Sequence, residues 1–197
     1  MLKIHLVWAY IHIKKEENEM ADVICAIDLS GAFFRGKGNL SNEENLVILS
    51  EIENLFERKI PEGWEAVFPT DNHRNGDPEL QVFPEHGMIG TEEIKIVDEL
   101  FRFVTPENYI PKNSTDAFFR TNLEEIMEQK NPQKVIVVGV CTDICILFAV
   151  AGLRNRGYEV IVPKDCIRAL DVDNTDLWLN YLEKILGARV VEKQEEI

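Results

Sequence analysis

Short runs of consecutive hydrophobic residues alternate along the chain with longer segments in which hydrophobic residues recur every three or four positions. Continuous apolar runs are typical of strands buried on both faces, and the second spacing is typical of helices. The runs that predict strands are VICAID (23–28), WEAVFPTD (64–71), NYIPK (108–112), KVIVVGV (134–140), YEVIVPKDC (158–166) and ARVVE (188–192). The segments that predict helices are 41–58, 92–104, 122–130, 142–157 and 175–186.

Local signals predict where several of these elements begin and end. Ser41 followed by Glu44 has the spacing of a capping box, which predicts the start of the first helix. Asn122 is a predicted N-cap of the third helix, and Gly157 is expected to end the fourth. Residues 72–91 are rich in Asn, Gly, Pro and charge, and they predict a long functional loop.

Strands that alternate with helices predict an α/β fold. We expect a three-layer, Rossmann-like sandwich in which a doubly wound, mainly parallel sheet carries helices on both faces. Residues 20–197 are expected to form this one domain. Residues 1–19 precede the first strand and are interpreted as an N-terminal extension that contributes no site residue. Their apolar part is too short to span a bilayer and is not followed by a signal-peptidase site.

Composition and charge narrow the range of partners. Of the 197 residues 45% are hydrophobic and 28% are charged, as is usual for a soluble globular protein. The formal net charge of −14 disfavours nucleic acid and anionic membrane surfaces as partners, because both are polyanions. The four cysteines include no CxxC pair, which argues against a zinc ribbon and favours a reduced, cytoplasmic protein. The sequence leaves the oligomeric state open, a homo-oligomer included.

Chemically active side chains follow several of the predicted strands. In parallel sheets the ligand site lies beyond the carboxyl ends of the strands. The residues expected there are Asp28, Asp71 with His73, Lys112, and Cys141 with Cys145. Packing, metal binding, a disulfide and nucleophilic catalysis are all open for the two cysteines. A thiol at a helix start beside a carboxylate and an ammonium nevertheless favours acyl transfer through a thioester, with backbone N–H groups stabilising the oxyanion.

Five motifs, in this order along the chain, resemble the isochorismatase-like cysteine hydrolases and, among them, the nicotinamidases. The motifs are IDLSGAFF (27–34), TDNH (70–73), FPEHGMIGT (83–91), PKNSTDAF (111–118) and GVCTDICILFAVAGLRNRGYEV (139–160). The resemblance implies that Cys145 is the nucleophile, Asp28 its proton acceptor and Lys112 the partner of Asp28. It also implies a cis Val140–Cys141 peptide and an oxyanion hole formed by the backbone amides of Cys141 and Cys145. Phe33 and Phe83 are the implied pocket walls.

The resemblance also implies one divalent metal ion. Asp71, His73 and His86 match the metal motifs, and Glu79, seven residues before His86, matches a subset of nicotinamidases in which a glutamate joins the ligands. Zinc is the expected ion, and iron or manganese suit the same ligands. The metal is implied to bind the pyridine nitrogen and to orient the carboxamide over the thiol. Asp77, in a Gly-Asp-Pro sequence, is expected only to shape a turn.

The function implied is hydrolysis of the small molecule nicotinamide to nicotinate and ammonia, in cytoplasmic NAD salvage. One alternative is another amidohydrolase of the superfamily that acts on a ureido or carbamoyl compound. Another is a non-catalytic interaction module, which the complete triad disfavours. Two departures bear on substrate identity: Thr115 replaces the usual aromatic residue after the lysine, and Arg120 stands where glycine is common.

Overall fold

The computed structural model describes residues 21–34 and 38–197. The predicted extension, residues 1–19, lies outside these described residues. None of the helices in the described ranges combines the length and the apolar content that crossing a bilayer requires.

The strands form one sheet in which every neighbouring pair is parallel. Their bounds are β1 Val23–Ile27, β2 Glu65–Asp71, β3 Tyr109–Lys112, β4 Lys134–Val140, β5 Glu159–Pro163, β6 Ile167–Arg168 and β7 Arg189–Val191. The order across the sheet is β3-β2-β1-β4-β5-β7, and β6 pairs with the end of β4. The predicted strand 158–166 ends at Pro163 because Lys164–Cys166 form a 3-10 turn that leads into β6.

The helices lie between the strands, as the alternating pattern predicted. Their bounds are α1 Leu49–Lys59, α2 Asp98–Phe101, α3 Leu123–Lys130, α4 Cys145–Asn155 and α5 Thr175–Lys184. Short 3-10 helices occupy Glu43–Ile48, Pro78–Gln81, Glu92–Ile94, Lys164–Cys166, Val172–Asn174 and Gln194–Glu196. Gly157 follows α4 with φ 88°, a left-handed conformation that ends a helix, so the predicted end is confirmed.

Buried side chains on the two faces of the sheet pack against different helices. Ile24 and Ala26 of β1 belong to one hydrophobic cluster together with Ile52 and Phe56 of α1. The alternate residues of β1 belong to a second cluster, which holds side chains of α3, α4 and α5. Since successive side chains of a strand point to opposite faces, helices cover both faces. The predicted three-layer α/β sandwich is confirmed.

The start of the first predicted helix differs from the capping-box prediction. Residues Glu43–Ile48 form a 3-10 helix, and α1 begins only at Leu49. Asn42, not Ser41, is the cap: its backbone is extended and its side-chain oxygen accepts a hydrogen bond from the N–H of Glu44 at 2.9 Å. The Glu44 carboxylate instead forms an ion pair with Arg168 at 2.6 Å, so it does not accept the hydrogen bond from a backbone N–H that a capping box requires.

The helix predicted over residues 92–104 and the side-chain cap predicted at Asn122 both differ from the structure. The predicted helix 92–104 is interrupted between Glu92–Ile94 and α2, because Ile96 forms an antiparallel bridge with Ser30. Asn122 makes no side-chain cap bond to α3. The hydroxyl of Thr121 takes that part and accepts from the N–H of Leu123 at 3.2 Å.

The chain winds outward in two directions from the centre of the sheet. It runs from β1 through β2 to β3 on one side, and from β4 through β5 to β7 on the other. A crevice therefore opens between the carboxyl ends of β1 and β4, which is where doubly wound sheets bind ligands. Asp28 follows β1 and Cys141 follows β4, so the fold brings both residues to this crevice.

Candidate active site

Asp28 is held at the end of β1 by backbone contacts with β2. Its φ of 54° is left-handed, a conformation that Asp tolerates better than most residues. Its N–H donates to the carbonyl of Pro69 at 2.9 Å, and its Oδ1 accepts from the N–H of Asp71 at 3.0 Å. The carboxylate is thus fixed on two sides, and Oδ2 is left for other partners.

Lys112, the last residue of β3, places its ammonium between two carboxylates and a thiol. Its Nζ lies 2.9 Å from Asp28 Oδ2, contacts Asp71 Oδ1 and lies 3.7 Å from Cys145 Sγ. The side chains of Asp28, Asp71 and Lys112 are fully buried. Buried charges need close partners of opposite sign, and here one cation serves two anions.

Cys145 is the first residue of α4 and is only 4% exposed. As the first residue of the helix, it has a backbone N–H without a partner inside α4. The Val140–Cys141 peptide bond is cis, as the resemblance implied. The carbonyl of Cys141 accepts from the N–H groups of Ile144 and Ile146 at 3.0 and 3.1 Å, which closes the corner between β4 and α4.

The resting thiol of Cys145 is neutral, although the positive end of a helix dipole by itself favours the thiolate. Burial raises its pKa well above the ordinary value, although the Lys112 ammonium opposes that shift. Burial and the Asp71 carboxylate raise the pKa of Asp28 to about 7, again against Lys112. Asp28 can therefore accept a proton near neutral pH. The neutral Cys145 thiol needs such a base to become a thiolate.

Three further side chains meet on the other side of Asp71. His73 Nε2 lies 3.5 Å from Asp71 Oδ1 and 4.0 Å from Glu79 Oε1. His86 Nε2 lies 3.3 Å from Asp71 Oδ2 and 3.6 Å from Glu79 Oε1. The His86 Nδ1 is 2.7 Å from the Pro84 carbonyl, to which it donates, so Nε2 faces the cluster. The structure thus gathers all four predicted ligands.

Close backbone packing brings the two halves of this cluster together. The N–H of His73 donates to the carbonyl of Gly87 at 2.9 Å, and His73 forms a parallel bridge with Met88. Gly87 has φ 53°, and a Cβ added there would stand 2.7 Å from the Cβ of Asp71. Only glycine allows the 83–91 loop to approach the end of β2 so closely.

The donor set fits a divalent cation. One ligand atom from each of the four residues lies within 4.8 Å of the others. Among residues 21–34 and 38–197, the buried atoms Asp71 Oδ2, Glu79 Oε2 and His73 Nε2 find no hydrogen-bond partner. Burial alone would lower the pKa of His86, but Asp71 and Glu79 outweigh it and raise that pKa to about 10, so the cluster attracts positive charge. Imidazole and carboxylate ligands suit zinc, iron and manganese alike.

Asp77 does more than shape its turn. Its Oδ2 accepts from the N–H of Arg74 at 2.8 Å, as expected of a turn residue. The same oxygen lies 3.5 Å from His73 Nδ1, on the side of the ring that faces away from Asp71. The prediction of a pure turn role is therefore incomplete, since the carboxylate also faces a candidate metal ligand.

One pocket joins the thiol corner to the metal cluster. It encloses about 500 Å³, its open mouth included, and Cys141, Cys145, Glu79 and His86 all line it. Phe33 and Phe83 lie in its wall, and their rings meet the His86 ring edge-on at 5.7 and 6.4 Å between centroids. Lining residues that the sequence pattern did not single out are Leu40, Asn42, Asn45, Ile144, Ala169 and Leu170.

Asn45 is the one of these residues that carried a signal in the sequence. It lies four positions before Leu49 and seven before Ile52, on the apolar stripe of the predicted helix 41–58, and it is buried in the 3-10 helix Glu43–Ile48 that precedes α1. A polar residue at a core position of an amphipathic helix requires either a hydrogen bond or a function. The remaining lining residues are apolar or exposed, and nothing in their spacing distinguishes them from ordinary packing or loop residues.

Comparisons with known proteins bear on the family and the fold of the chain. A family model for the isochorismatase domain matches residues 22–195. The isochorismatase family protein PncA of Bacillus subtilis is 28% identical over 183 residues, which cover 88% of this chain and 100% of that relative.

Two solved structures share the fold over most of their length. The nicotinamidase PncA from Bacillus subtilis superposes with a TM-score of 0.80 at 26% identity, over 88% of this chain and 100% of that chain. The N-carbamoylsarcosine amidase from Thermoplasma acidophilum superposes with a TM-score of 0.81 at 25% identity, over 90% of this chain and 99% of that chain. With the family model matched from the first strand to the last, this chain belongs to the isochorismatase family of hydrolases.

Proposed function

We propose that the protein is a cysteine-dependent amidohydrolase that converts nicotinamide to nicotinate and ammonia, a reaction of NAD salvage. The observation that carries the proposal is the contact of Lys112 with both Asp28 and Cys145, because Cys145 also lines a pocket together with Glu79 and His86 of the metal cluster. The four cysteines are unpaired, which supports a reducing compartment such as the cytoplasm.

The proposed reaction begins with proton transfer. Asp28 takes the proton of Cys145, and the thiolate attacks the carboxamide carbon of the substrate. The backbone N–H groups of Cys141 and Cys145 stabilise the negative charge that develops on the carboxamide oxygen. Asp28 then gives its proton to the departing nitrogen, the C–N bond breaks, and ammonia leaves a thioester on Cys145.

Hydrolysis of the thioester reverses these roles. Asp28 takes a proton from water, the resulting hydroxide attacks the thioester carbon, and the C–S bond breaks. Asp28 passes its proton to Cys145, and the carboxylic acid product gives its own proton to solvent and leaves as its anion. Lys112 stays charged throughout, because the two carboxylates raise its pKa against the effect of burial. It holds Asp28 in position for both proton transfers.

The metal cluster would orient the substrate. Asp71, His73, Glu79 and His86 would hold a divalent cation, which as a Lewis acid accepts the pyridine nitrogen when bound. Phe33 and Phe83 pack at the ring edge of His86 and confine a flat ring in the pocket. A ring fixed at these points presents its carboxamide to Cys145 in one orientation, and such positioning accelerates attack.

A second candidate is hydrolysis of a ureido or carbamoyl compound. The observation that favours it is the likeness to the N-carbamoylsarcosine amidase structure, whose coverage and TM-score match those of the nicotinamidase. The same three residues would cleave the C–N bond of a ureido group. Such a substrate has no ring nitrogen for a metal, so the cluster of four ligands supports nicotinamide instead.

Ammonia release separates the two candidates. Purified protein is offered nicotinamide, pyrazinamide, N-carbamoylsarcosine and ureidoacrylate, before and after removal of metal by a chelator. The proposal predicts turnover of the two ring carboxamides and its loss after chelation, with recovery on adding zinc, iron or manganese. Turnover restricted to the ureido and carbamoyl compounds, unaffected by chelation, would establish the second candidate instead.

A further inference from the structure

Two asparagines line a wall of the pocket that belongs neither to the thiol corner nor to the metal cluster. Asn42 and Asn45 lie on the segment before α1 and face the same pocket as Cys145 and His86. Neither takes part in the reaction proposed above. Nicotinamide offers two polar groups, its carboxamide and its ring nitrogen, and both already have partners in that reaction. The two asparagines of this wall are therefore available to a third polar group on the substrate.

Hydrogen bonds fix the orientation of the Asn45 side chain. Asn45 is 7% exposed, and its Nδ2 donates to the carbonyl of Phe33 at 2.9 Å. Its backbone N–H donates to the carbonyl of Asn42 at 3.0 Å. Because the nitrogen of the amide is bound to Phe33, the oxygen Oδ1 is the atom left as an acceptor. No donor among the described residues binds it, and it is not among the fully enclosed polar atoms.

Asn42 offers the complementary group. Its Oδ1 accepts from the N–H of Glu44 at 2.9 Å, so its Nδ2 is the atom left as a donor. No acceptor within residues 21–34 and 38–197 binds that nitrogen. The pocket wall therefore presents an acceptor on a fixed, buried side chain and a donor on an exposed one.

The surroundings of Asn45 make its oxygen selective. Phe33, Leu40 and Ile144 line the same pocket and supply no hydrogen-bonding side chain. A bare ring that fills the pocket would displace water from Asn45 Oδ1 and leave this oxygen unpaired, which costs binding free energy. A ring that carries an N–H or O–H group at the facing position would donate a hydrogen bond to Asn45 Oδ1 in place of the displaced water. Sites built to bind a substrate N–H or O–H discriminate strongly against analogues without it.

We propose that Asn45 is a specificity-determining residue and that its Oδ1 accepts a hydrogen bond from an amino or hydroxyl substituent on the substrate ring. The preferred substrates are then pyridine carboxamides that carry such a substituent, and nicotinamide is the unsubstituted member of the class. This inference rests on the proposed function and narrows its substrate.

Matched substrate pairs test it by ammonia release. Nicotinamides with an amino group at ring position 2, 5 or 6 are compared with the methyl derivatives at the same positions, which have the same size and no donor. At one position the wild-type kcat/KM for the amino compound exceeds that for the methyl compound by about tenfold or more. Asn45→Leu brings this ratio close to one, whereas Asn180→Leu, on the exposed face of α5, leaves it unchanged.

The outcomes distinguish the two proposals. Turnover of nicotinamide with amino-to-methyl ratios near one at all three positions would overturn the role of Asn45 and leave the proposed function standing. An amino-to-methyl ratio that stays high in Asn45→Leu would also overturn the role of Asn45 and leave the proposed function standing. No ammonia from any pyridine carboxamide would overturn the proposed function, and this inference with it. If Asn45→Leu does not fold, Asn45→Ala serves instead, and the wild-type ratios alone still decide whether the preference exists.

Discussion

Gly139 lies so close to the backbone of Ile27 that a Cβ added to it would stand 2.0 Å from the Ile27 carbonyl oxygen. Gly139 of β4 and Ile27 of β1 are register partners. Ile27 lies one residue before Asp28, and Gly139 lies two residues before Cys141. With φ 116°, Gly139 also has a backbone conformation that other residues rarely adopt. This contact sets the separation of the two strand ends that carry the proposed proton acceptor and the oxyanion amide.

Gly139→Ala is therefore expected to destabilise the protein by at least about 2 kcal/mol, since it adds a backbone clash to the conformational strain. Urea unfolding measures the loss. Gly63→Ala is the control, because Gly63 also has a positive φ, 95°, but nothing lies within 4 Å of an added Cβ. Equal losses in the two variants would show that the close approach of β4 to β1 carries no cost of its own.

Lys112→Met should reduce kcat by about a hundredfold or more, because it leaves Asp28 and Asp71 buried without their shared cation and Asp28 unpositioned. Steady-state ammonia release measures it. Lys59→Met is the matched control: Lys59 is also buried, but it forms an ion pair with the half-exposed Glu62 and lies over the Trp64 ring, and neither residue belongs to the site. Wild-type kcat in the Lys112 variant would remove Lys112 from the mechanism.

Glu79→Gln should weaken metal retention and raise the KM for nicotinamide, since it removes one of four gathered ligand groups and leaves the fold unchanged. Metal content after dialysis against a chelator is the direct readout, and excess metal should partly restore the KM. The control is Glu85→Gln, an exposed neighbour of His86 outside the cluster. If Glu79→Gln retains as much metal as Glu85→Gln, then Glu79 is not a metal ligand.

A protein that begins at Met20 is expected to fold and to keep its activity. Every residue of the candidate site follows position 27, and the family model begins at residue 22. Melting temperature and kcat/KM for nicotinamide, compared with the full chain, test this. A drop in melting temperature of more than about 5 °C, roughly 2 kcal/mol for a chain of this size, would show that residues 1–19 pack as part of the domain.

The parallel sheet and the composition of the site were both accessible from the sequence, because both follow from the same apolar strands. Strands buried on both faces leave uninterrupted apolar runs, and VICAID and KVIVVGV are unambiguous in this respect. Parallel strands align their carboxyl ends, so Asp28, Lys112 and Cys145 were expected at one edge before any distance was known. The structure added the distances and showed that burial keeps the Cys145 thiol neutral.

Features that depend on tertiary contacts were not accessible. The break in the predicted helix 92–104 follows from the bridge between Ile96 and Ser30, which are far apart in the chain. The contact of Asp77 with His73 depends on the course of a loop. Asn45 stood out only as a polar residue on a buried stripe, and its hydrogen bond to Phe33 had no sequence signal.

Cys145 carries the central claim, and its exchange for alanine tests that claim most directly. Both Cys141 and Cys145 line the pocket, but the Cys145 thiol lies 3.7 Å from the Lys112 ammonium, whereas position 141 is proposed to act through its backbone amide. Ammonia release from nicotinamide should be abolished in Cys145→Ala and only reduced in Cys141→Ala, with both variants folded. Equal losses in the two variants, or turnover by Cys145→Ala, would contradict the account.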